Sequence, residues 1–406
     1  DSAYGPAIAC NPSRSSFPTG LRPHTTGVWN NSQVMSERLP PGTLTLPELI
    51  KKKGLQTAVI GKFFHTTEYA QKQLLAFDRI EHYQPPPGWS GPPPILKFPT
   101  EPRAAGKAPP TKNKKDPAYV KWRRAQSDRY GDSGKAPEAE GDYRNAQTAV
   151  ALLGEFAKSK QPFFLSVHSS RPHTPLLAPK KYIDMYDPDK IPDPPAPPAS
   201  LQGCPYPKRM TGGNPDLFMD RQPTAREARA AIAAYYACVS FVDDNVGRVL
   251  SALDQQGLAD NTIVFVLGDH GFHLGDHGFW SKYSMLEATR RAPLWVRVPR
   301  APGNGQVCRE FVEFVDFVPT LGELLGFDVP ANLEGTSFAP LLATPDRPWK
   351  SAVFQVQSPG EQMVRNRQYS YLEFKDGPVP VALYDMQKDP WETVNLADNP
   401  AYAGTR

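Results

Sequence analysis

The feature that most constrains the fold is the uninterrupted apolar run Ile263–Leu267, which leads straight into Gly268-Asp269-His270-Gly271. Five consecutive apolar residues suit a strand covered on both faces. Such a strand needs helices above and below it, which points to a layered α/β architecture. The surrounding sequence agrees. Residues 224–256 carry a long helical pattern that stops at Gly257, just before the run. The same helix-then-strand order occurs twice earlier. Thr45 and Glu48 form a Thr-x-x-Glu capping box at a helix start, the helix runs to Lys53, and Gly54 ends it. Thr57–Ile60 then reads as a short strand ending in Gly61-Lys62. Residues 140–158 place Ala146, Ala149, Val150, Leu153 and Phe156 on one helical face, and Phe163–Val167 follows as a buried strand. This alternation implies a mostly parallel central sheet flanked by helices, in which functional groups gather at the carboxyl ends of strands. Lys62, the stretch His168–His173, and Asp269-His270 all stand just past expected strands, so they are expected to share a site.

Composition separates other parts of the chain. Of 406 residues, 46 are proline. They concentrate in residues 85–137 and 186–208, which excludes long helices and central strands there and implies extended surface loops. After about residue 340 the pattern changes to four short strand-like runs, Ala352–Val356, Gln362–Val364, Tyr369–Phe374 and Val381–Tyr384. We expect a catalytic region over 1–340 and a small antiparallel C-terminal subdomain over 341–406. The formal net charge is +4 with only short basic runs, which argues against a nucleic-acid partner. No stretch is long and apolar enough to span a membrane. The four cysteines form no Cys-x-x-Cys pair. Two of Cys204, Cys238 and Cys308 are free to form a disulfide; Cys238 as a buried thiol on a helix is the equal alternative.

The strongest chemical signal is Cys10-Asn11-Pro12-Ser13-Arg14 with Thr19-Gly20 beyond it. Proline fits the first turn of a helix, where its missing N–H costs nothing. Cys10 then sits at the helix start, where free backbone N–H groups favour an anion, and Arg14 adds a positive charge nearby.

This string resembles the signature of formylglycine-dependent sulfatases. Further motifs occur in that family's order: Gly61-Lys62-Phe63-Phe64-His65, Arg171-Pro172-His173, Gly268-Asp269-His270-Gly271 and Trp280-Ser281-Lys282-Tyr283. The Gly-Lys-x-x-His spacing is most similar to the iduronate-2-sulfatase branch. The resemblance implies an alkaline-phosphatase-like layered fold and hydrolysis of sulfate esters on sugars, with a 2-O-sulfated uronic acid as the first expectation. It also implies that a separate formylglycine-generating enzyme oxidises Cys10. The hydrated aldehyde then attacks sulfur, forms a covalent sulfo-enzyme and expels sulfate through its second hydroxyl. Ca²⁺ is the implied cofactor, because it neutralises the ester's charge and polarises an S–O bond. By resemblance Asp269, His270 and the oxidised Cys10 hold it. Asp269 offers the oxygen that Ca²⁺ prefers, whereas the imidazole of His270 is an unusual ligand for a hard cation.

The remaining roles follow from the same resemblance. Arg14 and Lys62 stabilise charge on the nucleophile and the sulfate oxygens. His65 is the base, His173 the acid for the leaving sugar oxygen, and Lys282 holds a sulfate oxygen. His24 and His277 are weaker candidates for touching substrate. Arg103, Lys107, Arg123 and Arg124 either bind an anionic glycan or form ordinary solvated surface. Tyr384-Asp385, Asp389-Pro390-Trp391-Glu392 and Asn395-Leu396 match the family's C-terminal segment and read as structural.

Sulfatases of this type usually hold Ca²⁺ with two further carboxylates upstream of the signature cysteine. Only nine residues precede Cys10 here, so the expectation is that the sequence lacks its true N-terminus; were the pair truly absent, calcium binding would be weak and activity low. The family and the substrate class imply a secreted, periplasmic or lysosomal protein. Two other functions stay open: a phosphomonoester or phosphodiester hydrolase of the same superfamily, which the Lys62, His65 and Lys282 set disfavours, and an inactive binder of sulfated glycans, which has no need of a convertible cysteine.

Overall fold

The computed structural model describes residues 1–65, 71–82, 110–111, 113, 116–125, 127–196, 217–218, 221–282, 284–375 and 379–405. Arg103, Lys107, Cys204 and Tyr283 lie outside these residues, as does the side chain of Arg124.

Three parallel strands form the centre. Strand β2 (Gln56–Ile60) lies between β3 (Arg79–Glu81) and β5 (Phe163–Val167), with Ala58 opposite both Arg79 and Leu165. Two helices prepare this sheet. Helix α2 (Leu46–Lys52) carries the expected capping box, with Glu48 accepting hydrogen bonds from Thr45. Helix α4 (Gly141–Ser159) lays Ala149, Leu152 and Phe156 against Ala58 and Ile60. Beside α4, on the same face of the sheet, runs the 31-residue helix α5 (Ala225–Gln255), which begins at a Thr224/Glu227 capping box and joins that core through Val249, while α2 packs on the opposite face with Val318 and Leu321. Two shorter strands, β4 (Tyr130–Asp132) and β6 (Leu176–Ala178), pair in parallel beside α5.

Strand β7 (Val264–Leu267) departs from expectation. It pairs antiparallel with β10 (Leu294–Arg297), and its four residues are half-buried, as are all five of β5. Each has a strand partner on one side only among the described strands, so the other edge keeps accessible surface. Their apolar side chains still join the core, with Phe164 and Phe265 packing against the same clusters.

The proline-rich stretch also needs correction. It is not all loop: Pro117–Ala125 form the nine-residue helix α3, because proline at a first helical position costs nothing and Ala118–Arg124 contains no other, and 130–132 form the short strand β4, while the described residues there hold no long helix or central strand. The C-terminal expectation is met by four antiparallel strands in sequence order: β12 (Ala352–Ser358), β13 (Glu361–Asn366), β14 (Tyr369–Phe374) and β15 (Val381–Asp385). This sheet does not stand apart. Met363, Leu372, Ala382 and Tyr384 share one core with Ile8, Phe279, Met285 and Leu286. Cys238 is fully buried on α5, and it and Cys308 are both free thiols, so no bridge joins them.

Candidate active site

The signature string forms helix α1 (Cys10–Ser16), with Cys10 in its first turn and only 3% exposed. Local sequence explains how the cysteine is fixed. The Asn11 amide donates to the carbonyls of Asn30 at 3.0 Å and Gln33 at 2.8 Å, tying the helix to the following loop. Ser13 Oγ donates to the Asp269 carbonyl at 2.5 Å. Asp269 and His270 leave the end of β7, and a glycine must follow them. A Cβ on Gly271 would lie 2.1 Å from the Ala288 carbonyl oxygen. Gly61 meets a similar demand before Lys62, with a φ of +75° and His168 and Asn145 close by.

Four separate sequence motifs meet around the sulfur. Lys282 Nζ lies 3.0 Å from Cys10 Sγ and 3.3 Å from His270 Nε2. His270 Nε2 is itself 3.4 Å from the sulfur, and its Nδ1 is hydrogen-bonded to the Gly271 carbonyl at 2.8 Å. His65 also hydrogen-bonds Cys10. Arg14 binds Asp269 Oδ2 through Nε at 2.8 Å, and its other end donates to the carbonyls of Lys62 and Phe63. Phe63 is wedged edge-on among Phe17, Phe64 and Phe77, which immobilises the backbone of Lys62.

Electrostatics follow from this crowding. Burial and the Asp269 charge push the Cys10 thiol up, but hydrogen bonds from His270 and His65 outweigh them and hold it well below the usual thiol range. Burial raises Asp269, yet Arg14 leads the charges that keep it well below the usual carboxylate range. Burial lowers His270, while the Asp269 carboxylate more than offsets this and raises it. Burial lowers Lys62, His65 and His168. The result is a buried centre rich in positive charge, suited to an anionic ester.

The other expected residues fall as follows. His173 opens to solvent, with Nδ1 bonded to the Thr174 carbonyl at 2.6 Å. The protein around its ring, then the Lys282 ammonium, hold its imidazole below the usual range. His24 is 47% exposed and pairs with Glu334 at 3.1 Å. His277 is buried and bonds the Trp391 carbonyl at 2.7 Å. Glu392 from the same segment pairs with Arg290 at 2.6 Å. His168, the first residue of the stretch expected to share the site, is brought beside Arg14, 3.5 Å away, and its position immediately after β5 was the available signal.

Ligand atoms of Cys10, Asp269 and His270 lie within 4.8 Å of one another. Ca²⁺ takes six to eight oxygens, and this trio offers one carboxylate, one imidazole and one sulfur position. It fits one face of a calcium site, with other donors needed to complete the shell.

The layered fold and the cysteine in a cationic cradle define an alkaline-phosphatase-like hydrolase. Comparison with known proteins makes this specific. The family model "Sulfatase" matches residues 1–327, and "N-sulphoglucosamine sulphohydrolase, C-terminal" matches 275–406. The chain therefore belongs to the sulfatase family, whose members are sulfuric ester hydrolases. It is 32% identical to a sulfatase of Formosa agariphila, over 98% of this chain and 75% of that protein. It is 30% identical to the iduronate 2-sulfatase of Mus musculus, over 83% of this chain but only 64% of the mouse protein. Among solved structures, a 2-O GAG sulfatase superposes with a TM-score of 0.71 at 23% identity, covering 100% of this chain and 80% of that one. The phosphonate monoester hydrolase of Agrobacterium radiobacter gives 0.71 at 20% identity, with coverage of 100% and 85%. These structural likenesses establish the fold.

Proposed function

We propose that this chain hydrolyses sulfate esters on sugars through a formylglycine made from Cys10, acting on 2-O-sulfated uronic acid units of a sulfated polysaccharide. The observation that carries the reading is the meeting of Lys282, His270, His65 and the Arg14–Asp269 pair around one buried sulfur. The uronate is supported by the iduronate 2-sulfatase relative and by the likeness to a 2-O GAG sulfatase. A formylglycine-generating enzyme is the maturation partner. A sulfated-glycan substrate goes with a secreted, periplasmic or lysosomal setting. No described helix is long and apolar enough to cross a membrane.

Each side chain then has a task. The oxidised Cys10, once hydrated, supplies the nucleophile. When bound, Ca²⁺ held by Asp269, His270 and that residue would neutralise ester charge. Arg14 fixes Asp269 and adds positive charge to the centre. Lys62 and Lys282 stabilise charge on the sulfate oxygens. His65, hydrogen-bonded at position 10 and kept neutral by burial, takes the nucleophile's proton. His173, at the solvent-facing rim, gives a proton to the leaving sugar oxygen. His24 and His277 have partners elsewhere and carry no step in this scheme.

The test is sulfate release from a panel of defined sulfated oligosaccharides and a phosphate ester, using protein co-expressed with a formylglycine-generating enzyme. Release from a 2-O-sulfated uronate, absent in Cys10→Ala, is expected. Turnover of the phosphate ester alone would replace the reading with a phosphoesterase one.

A further inference from the structure

Asp142 is a deeply buried charge paired with the partly buried Arg171, their side chains 2% and 14% exposed, and nothing in the reaction above uses them. Asp142 stands in the first turn of α4. Its Oδ1 accepts the Ser170 backbone N–H at 2.7 Å, and its Oδ2 accepts the Arg171 N–H at 3.3 Å and the Arg171 guanidinium at 2.9 Å. The same guanidinium donates to Glu140 at 2.8 Å and to the Leu177 carbonyl at 2.5 Å, and it lies over the Phe241 ring at 5.2 Å. One turn further along α4, Asn145 donates to the His168 carbonyl at 2.7 Å. His173 hangs from this scaffold, its N–H bonded to the Ser170 carbonyl at 3.1 Å. Both ends of the loop that carries His173 are thus gripped, at Ser170-Arg171 and at Leu177.

A buried ion pair is a weak way to gain stability, because desolvation offsets the attraction. It is a strong way to fix geometry, since Arg171 makes directed bonds to three groups at once. The His173 side chain is exposed, and among the described residues its ring bonds only Thr174, so its position depends on the loop that carries it. We propose that Asp142, acting with Arg171, is a positioning residue that holds His173 at the distance needed to protonate the leaving oxygen. This rests on the assignment of His173 as the acid.

The experiment reads leaving-group dependence. An acid matters when the leaving oxygen is basic and hardly matters when it departs as a stable anion. Fully converted protein is assayed on 4-nitrophenyl sulfate and on phenyl sulfate. His173→Ala sets the signature, a loss of kcat much larger on phenyl sulfate. Asp142→Asn is expected to show the same signature, with an additional loss on phenyl sulfate of about tenfold to a hundredfold. Equal losses on both esters, or no loss, overturn the proposal. If Asp142→Asn does not fold, Arg171→Lys is read in the same way; unfolding of both makes the cluster purely structural and also overturns it. A His173→Ala protein without leaving-group dependence instead removes the acid assignment on which the proposal stands.

Discussion

Lys282 touches both Cys10 and His270, so its charge is the part of the cradle most directly exposed to substitution. Replacing it by methionine keeps the length and removes the ammonium. With position 10 converted, kcat should fall about a hundredfold to a thousandfold, the usual loss for one oxyanion-stabilising donor. Steady-state sulfate release measures this, and a loss below tenfold would take Lys282 out of the charge-stabilising set. Cys10→Ala should abolish turnover while leaving the circular dichroism spectrum unchanged; substantial residual activity would sink the formylglycine mechanism. Asp269→Ala removes the cluster's single carboxylate and leaves Arg14 without its pair. Its activity should be lost and poorly restored by added Ca²⁺, and full activity would remove Asp269 from the metal site.

The elements behind these residues matter through the turns that deliver them. Phe63 follows Lys62 and is 3% exposed within a five-ring aromatic cluster. Phe63→Ala should cost about 3–5 kcal/mol of stability through the cavity it leaves. Denaturant unfolding would show this, and a change under 1 kcal/mol would mean that the cluster collapses freely onto the gap. Here the sequence was largely readable. One capping box, glycine stops and apolar periodicity located α2, α4 and α5, and short strand-like runs located the four C-terminal strands. It was less readable at β5 and β7, where apolar runs imply burial on both faces. How much of a strand is covered depends on which strands flank it, and that is a property of the sheet.

At the scale of the whole molecule, the C-terminal sheet is joined to the catalytic region by a buried charge network. Arg290 is fully buried, and binds Glu287 Oε2 at 2.9 Å and Glu392 Oε1 at 2.6 Å. Burial raises Glu287, but Arg290 and Arg365 hold it below its ordinary value of 4.5. The sign follows. Stability from this ionised carboxylate is complete above 4.5 and is lost as pH falls through the lower folded-state value. Glu287→Gln should therefore be less stable than the parent at neutral pH and approach it as acid is added; parallel stability curves would contradict the pairing.

The residues of the candidate site were legible because reactive chemistry restricts residue types within short motifs: Cys10 to Arg14, Gly61 to His65, Asp269-His270 and Lys282. The sequence alone also determined the α/β class, since period and run length in helices and strands are local properties. Only the tertiary structure decided which motifs touch. It set Lys282 rather than His173 against the sulfur, directed His24 to Glu334 and His277 to Trp391, and placed Asp142 under the His173 loop. Those contacts join residues dozens to hundreds of positions apart. Such distances are fixed by how the layers pack, and no local pattern encodes them.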